Sequence, residues 1–305
     1  MKLRVMIFLV CVTCVSFVCL VLPACNSSLA GIAACYQNDQ AIINHTAEAP
    51  YQYRILAPYV MSLVASPANY GAWFGMVLLI NLVCFAVIYP SVYTWLCRWG
   101  SDKTAAGGVF LMTLLLIFSF VHQYPLSPNS NIELALICAT LIQWKRYWLV
   151  VIMVIVASLN RETGVLLVAI YALLTVTNLR QPTPLVRVAI LGALWAGISA
   201  TLHITLGAAP HILGFMGTLQ ANFSDLVSGL IINALLLPLW ILALIGYLKS
   251  PMLLKRFGWL ALAYLFSVFV GGLWGEMARL SLPAIPLILP FVVAEKPIQD
   301  KLGLS

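Results

Sequence analysis

Residues 147–178 read YWLVVIMVIVASLNRETGVLLVAIYALLTVTN, two strongly apolar runs parted by the charged break Asn160-Arg161-Glu162-Thr163-Gly164. The pattern recurs along the chain. Further apolar runs lie at 3–24, 70–97, 105–121, 131–144, 188–206, 226–248, 257–274 and 279–294. With 147–160 and 163–178 they make ten candidate membrane spans, several of them shorter than the roughly 20 residues a transmembrane helix needs. Hydrophobic residues are 63% of the 305 and charged residues only 8%. A soluble domain carries about a quarter charged residues. The expected fold is an all-α polytopic transmembrane helix bundle of about ten spans, a single transmembrane domain over 1–305.

The segment from 53 to 65 is also apolar but short, and Pro58 and Pro67 interrupt it. It is expected to lie in the interface or to re-enter the bilayer within a first outer loop spanning 25–69. Short paired spans such as the fourth and fifth suit helices shielded by protein or bent back into the bilayer.

Sixteen lysines and arginines fix the orientation. With the amino terminus inside, thirteen of the sixteen fall on inner connections or termini, leaving Arg54, Arg161 and Arg279 outside. That bias is what the positive-inside rule demands. Both termini are therefore expected in the cytoplasm, with 295–305 as a short cytoplasmic tail, and a bacterial inner membrane is the expected location. The net charge of +7 is spread over short inner connections, so it is a topology signal and not a nucleic-acid footprint. Lys2 and Arg4 followed by an apolar stretch and Leu22-Pro23-Ala24-Cys25 resemble a lipoprotein signal, but proline before the small residue fits poorly and a retained first helix is the expectation. Cys11 and Cys14 have CxxC spacing but lie within the first apolar run, and no Cys/His spacing marks a metal site.

The outer face then holds six of the nine acids (Asp39, Glu48, Glu133, Glu162, Asp225 and Glu276) and all four histidines. Ionisable groups near a membrane boundary are costly and by default mark a site or pathway. In the first outer loop Asp39 and Glu48 are candidate catalytic bases, because desolvation beside an apolar boundary raises a carboxylate's basicity. Tyr53 and Arg54 follow at the start of the interfacial helix; they either anchor it or contact an anion. Arg161 and Glu162 point about 100° apart on a helix, so each is expected to find its partner elsewhere. Asn160 precedes them. Glu276 and Arg279 share a helical face, as a local ion pair or with Arg279 turned toward a cavity where its planar fork can hold a phosphate. His122 and Tyr124 open a polar loop suited to a sugar, and equally to an ordinary turn.

These features resemble the GT-C superfamily, the polytopic glycosyltransferases that use polyprenyl-phosphate sugars. The resemblance rests on the many-span layout, the acids Asp39 and Glu48 in the first outer loop, and Gln52-Tyr53-Arg54 leading into an interfacial helix. The segments Asn160-Arg161-Glu162-Thr163 and Glu276-Met277-Ala278-Arg279 look like those of uncharacterised bacterial membrane proteins with this layout. It implies sugar transfer from a lipid-linked donor to an acceptor on the extracytoplasmic face. An outer-loop acid would act as general base or metal-assisting group, so a divalent metal is admissible although no motif specifies one. Basic residues near the membrane would hold the donor phosphate. Asp39 stands between Asn38 and Gln40, where many members have paired acids. A transporter or lipid flippase gated by the same ion pairs is the alternative. Expected partners are the lipid-linked donor and membrane lipids, with no nucleic acid.

Overall fold

A computed structural model describes residues 3–26, 29–48, 51–64, 69–122, 128–176, 180, 182–207, 215–274 and 277–293. Among these the chain is all-helical, with no strand. The helices are α1 (Leu3–Asn26), α2 (Leu29–Ile43), α3 (Leu56–Val64), α4 (Tyr70–Leu96), α5 (Asp102–His122), α6 (Pro128–Gln143) and α7 (Tyr147–Asn160). They continue as α8 (Val165–Thr175), α9 (Pro182–Leu206), α10 (Phe215–Ser224), α11 (Leu226–Lys249), α12 (Met252–Gly271), α13 (Met277–Leu280) and α14 (Ile285–Val293). Single 3-10 turns lie at Tyr51–Tyr53, Glu162–Gly164 and Leu282–Ala284.

Among the described residues each of the ten apolar runs is largely helical, and five helices are long and apolar enough to cross a membrane: Leu3–Leu20, Tyr70–Leu96, Asp102–Ser119, Pro182–Leu206 and Leu226–Lys249. This is a membrane protein. Helices α7 and α8 have 14 and 11 residues, about 21 and 17 Å at 1.5 Å per residue. Both fall short of a hydrocarbon core of about 30 Å. The last apolar run is not one helix: the turn Leu282–Ala284 divides α13 from α14. The short apolar segment 53–65 holds α3, nine residues long, and α2 places 15 residues of helix in what reads in the sequence as an outer loop.

The chain divides into two compact units. The first comprises Met1–Cys19, Ala86–Pro125 and Leu213–Ser305. Its interior is built from α5, α11, α13 and α14, with Ile232, Leu236 and Met277 packed against Leu115, Phe118 and Val268. Helices α11 and α14 touch backbone to backbone: a Cβ on Gly246 would lie 1.7 Å from the carbonyl oxygen of Phe291. Glycine at such a crossing lets membrane helices gain van der Waals contact where no hydrophobic force joins them. The hydroxyls of Ser16 and Tyr89 meet in this unit, and Trp95 donates its indole N–H to the Pro286 carbonyl at 3.1 Å.

The second unit comprises Leu20–Phe85 and Leu126–Ile212. Helices α6, α7, α8 and α9 pack on one another, and α3 packs on α7. Ala57, Met61, Trp73 and Val77 form one core cluster, with Tyr36 and Ile132 against it. Tyr53 and Leu202 form another with Ile55, Leu159 and Ile198. All the polar chemistry described next lies in this unit.

Candidate functional site

Helix α6 opens on Pro128-Asn129-Ser130-Asn131-Ile132-Glu133, and apart from Ile132 every one of these residues is buried. Proline suits a first helical position because its missing N–H would be unpaired there anyway. The polar side chains that follow need partners, since a buried polar group without one costs free energy. Those of Ser130, Asn131 and Glu133 find them on α4 and the turn beyond α7.

Glu133 is 1% exposed and Arg161 8%. Arg161 Nη1 donates to Glu133 Oε2 at 2.7 Å, and Thr163 Oγ1 donates to the other carboxylate oxygen. Arg161 Nη1 also lies 3.5 Å from Ser130 Oγ. Both oxygens of the buried carboxylate are therefore occupied, the condition under which an interior ion pair is tolerated. The local chain makes this possible. Arg161 takes an extended conformation (φ −159°, ψ 153°) that ends α7 and throws its side chain off the helix. The following turn then folds back so closely that a Cβ on Gly164 would lie 3.0 Å from the Ala157 carbonyl carbon.

Asn160, fully buried, donates its amide to the Asn129 carbonyl at 2.8 Å. The side-chain oxygens of Asn160 and Asn129, and Glu162 Oε1, are buried with no hydrogen-bond partner among the described residues. The Glu162 carbonyl accepts from Trp195 Nε1 of α9 at 3.2 Å. Asn131 donates to Asn81 Oδ1 at 2.6 Å, tying α6 to the middle of α4.

Nearer the start of α4, Trp73 donates its indole N–H to Asp39 Oδ2 of α2 at 2.9 Å. Asp39 is 7% exposed. Burial pushes its carboxyl up to about 6, against a smaller opposing pull from the Trp73 hydrogen bond. Trp73 orients one oxygen, and Asp39 makes no other side-chain hydrogen bond among the described residues.

The turn Tyr51–Tyr53 packs on α2 and α9. Gln52 Nε2 and Tyr53 Oη both donate to the Gly207 carbonyl, at 2.9 and 3.0 Å. Gly207 stands at φ +75° just beyond α9, a conformation that glycine adopts without penalty. The Tyr53 ring stacks on His203 with centroids 3.9 Å apart. Arg54, half-buried, places its guanidinium 4.7 Å over the Tyr51 ring.

Of the residues singled out in the sequence, Asn160 and Arg161 thus meet in one buried cluster, with the Glu162 carbonyl bound at its edge. Asp39 sits in a second polar contact and Tyr53 with Arg54 in a third. Glu48 is exposed beyond α2, with no side-chain partner among the described residues. Tyr124 and Glu276 lie outside the described residues, as do the side chains of His122, the last residue of α5, and Arg279, in α13. His122 and Arg279 belong to the first unit.

Glu133 stands in the sequence among the outer-face acids and Thr163 in the charged break, neither with an assigned role; Ser130, Trp73 and the pair Asn81–Asn131 do not stand out as site residues. Asn81 carries a signal, as the lone amide in the middle of the apolar run 70–97. Among the described residues no group of three or more His, Cys, Asp or Glu gathers. Compared with family models, curated proteins and solved structures, the chain matches none.

Proposed function

We propose that this chain is an integral-membrane glycosyltransferase that moves a sugar from a polyprenyl-phosphate donor to an acceptor hydroxyl on the extracytoplasmic face, with Asp39 as general base. The reading places it in a bacterial inner membrane with ten spans, both termini cytoplasmic and α3 in the outer interface. The observation that carries it is the Asp39 carboxyl, buried, raised to about 6 and oriented through one oxygen by Trp73. A base works best when its pKa lies near the operating pH and its direction is fixed by a neighbour. Glu48, exposed on the segment after α2, lacks both features.

In the proposed step the acceptor O–H gives its proton to Asp39 while the acceptor oxygen bonds to the anomeric carbon. The bond from that carbon to the phosphate oxygen breaks, and polyprenyl phosphate leaves with the electron pair. In this reading Arg54, which follows the 3-10 turn that packs on α2, meets the phosphate. Arg161 is committed to Glu133 and Ser130, so its part is to hold α6 against the α7–α8 turn.

A second reading, transport or lipid flipping, draws on the buried Arg161–Glu133 pair beside the break between two short helices. Broken helices with internal charges are a feature of transporters. Purified protein given a labelled polyprenyl-phosphate sugar and an acceptor extract distinguishes them. Label appearing in an acceptor supports transfer. Donor left intact but moved across vesicle membranes supports flipping and overturns transfer.

A further inference from the structure

Helices α11 and α12 each present a stripe at helical spacing to a common cleft in the first unit, closed at its base by α14. Trp240, Leu244 and Tyr247 line it from α11, and Trp259 and Leu262 from α12. Its volume is about 360 Å³, within the range of small-molecule pockets. Small residues make the space: a Cβ on Gly258 would already lie 2.8 Å from the Tyr247 ring. Leu244, Trp259 and Leu262 are each more than half exposed. The cleft therefore opens sideways onto an apolar surface that also carries Ile241, Ile245 and Phe266. On α11, which is long and apolar enough to cross a membrane, a surface of that kind meets lipid, not water.

One end of the cleft is not apolar. Lys255 lies one turn before Gly258 and Trp259, and its ammonium sits 5.6 Å from the centroid of the Tyr247 ring that forms the wall. Lys249 and Arg256 flank it, and residues 226–271 contain no acid. An apolar slot, open to the bilayer and capped at one end by positive charge, matches one kind of ligand: a hydrocarbon chain attached to an anionic headgroup.

We infer that this cleft binds an anionic phospholipid, with an acyl chain between Trp240 and Trp259 and the headgroup phosphate on Lys255. The cleft belongs to the first unit and the proposed transfer chemistry to the second. It needs neither donor nor acceptor.

Trp240 and Trp259 make the test direct. The full chain, delipidated in neutral detergent, is titrated with phosphatidylglycerol carrying brominated acyl chains, and tryptophan fluorescence is followed. Saturable quenching is expected, lost in the double variant Trp240→Phe and Trp259→Phe. Brominated phosphatidylcholine should quench far less at equal concentration. Lys255→Gln should weaken the phosphatidylglycerol titration about fivefold, with thermal unfolding in neutral detergent unchanged. Free glycerol phosphate should not compete. Equal quenching by the two lipids on the native chain would mean unselective lipid contact and overturn the proposal, independently of any variant. Competition by glycerol phosphate alone, or quenching that survives loss of both tryptophans, would overturn it as well.

Discussion

At the scale of single residues, Asp39 carries the most testable consequence. Its carboxyl is held near 6 when folded, against about 3.9 when unfolded. Between those values the unfolded chain has released its proton while the folded chain still holds it. Stability contributed by this group is complete below about pH 4, declines as pH rises to about 6, and is lost above that. The cost is about 3 kcal/mol at 1.36 kcal/mol per unit. Asp39→Asn should keep the Trp73 hydrogen bond, abolish that slope, and melt higher than the native chain near pH 7. Melting curves in detergent across this range check it; parallel curves would show that Asp39 is not buried. Arg161 and Glu133 behave differently. Removing one partner leaves a buried charge unpaired, so Arg161→Ala should cost about 3–5 kcal/mol. Arg161→Met combined with Glu133→Leu should recover most of that loss, because no lone charge remains. An Arg161→Ala chain that melts like the native one would contradict the buried pair.

Among the elements, the glycines at the turns and crossings decide the geometry. Gly164→Ala would push a methyl to 3.0 Å from the Ala157 carbonyl carbon. A backbone atom cannot give way cheaply, so about 1–3 kcal/mol should be lost. Gly207→Ala, at φ +75°, should cost about 1–2 kcal/mol and loosen the Gln52 and Tyr53 hydrogen bonds. Thermal melts of both variants test this, and no loss in either would contradict the turn geometry.

These elements also show what the sequence makes legible. The run 147–160 is α7 residue for residue, because an unbroken apolar stretch bounded by charges admits few alternatives. The polar string Gln37-Asn38-Asp39-Gln40 reads as a loop, yet it lies within α2. Leu29, Ile32, Ala33, Ala41 and Ile42 around it carry the helix, and composition hid this. The Glu133 partner of Arg161 was not legible. The two are 28 residues apart, and only the packing of α6 on α7 brings them together. Asp39 stood out as an acid, but Trp73, which orients it, looked like one more aromatic in a span.

On the scale of the whole molecule, the charge distribution and the chemistry must agree on one side of the membrane. In a chain stripped of native cysteines, Glu48→Cys should react with a membrane-impermeant thiol reagent in intact cells. Lys145→Cys, also exposed, should react only after permeabilisation. The opposite pattern, Lys145→Cys reacting in intact cells and Glu48→Cys only after permeabilisation, would reverse the orientation and remove the outer-face site. The polar interior around α6 ties it to α4 and to the turn between the short helices α7 and α8, while Asp39 is oriented by Trp73 of α4.

The most direct measurement is sugar transfer by the purified chain and its Asp39→Asn variant, with donor binding read in parallel. Turnover should fall about a hundredfold or more while donor affinity stays within about twofold. Undiminished turnover in Asp39→Asn would contradict the assignment of Asp39 as the base.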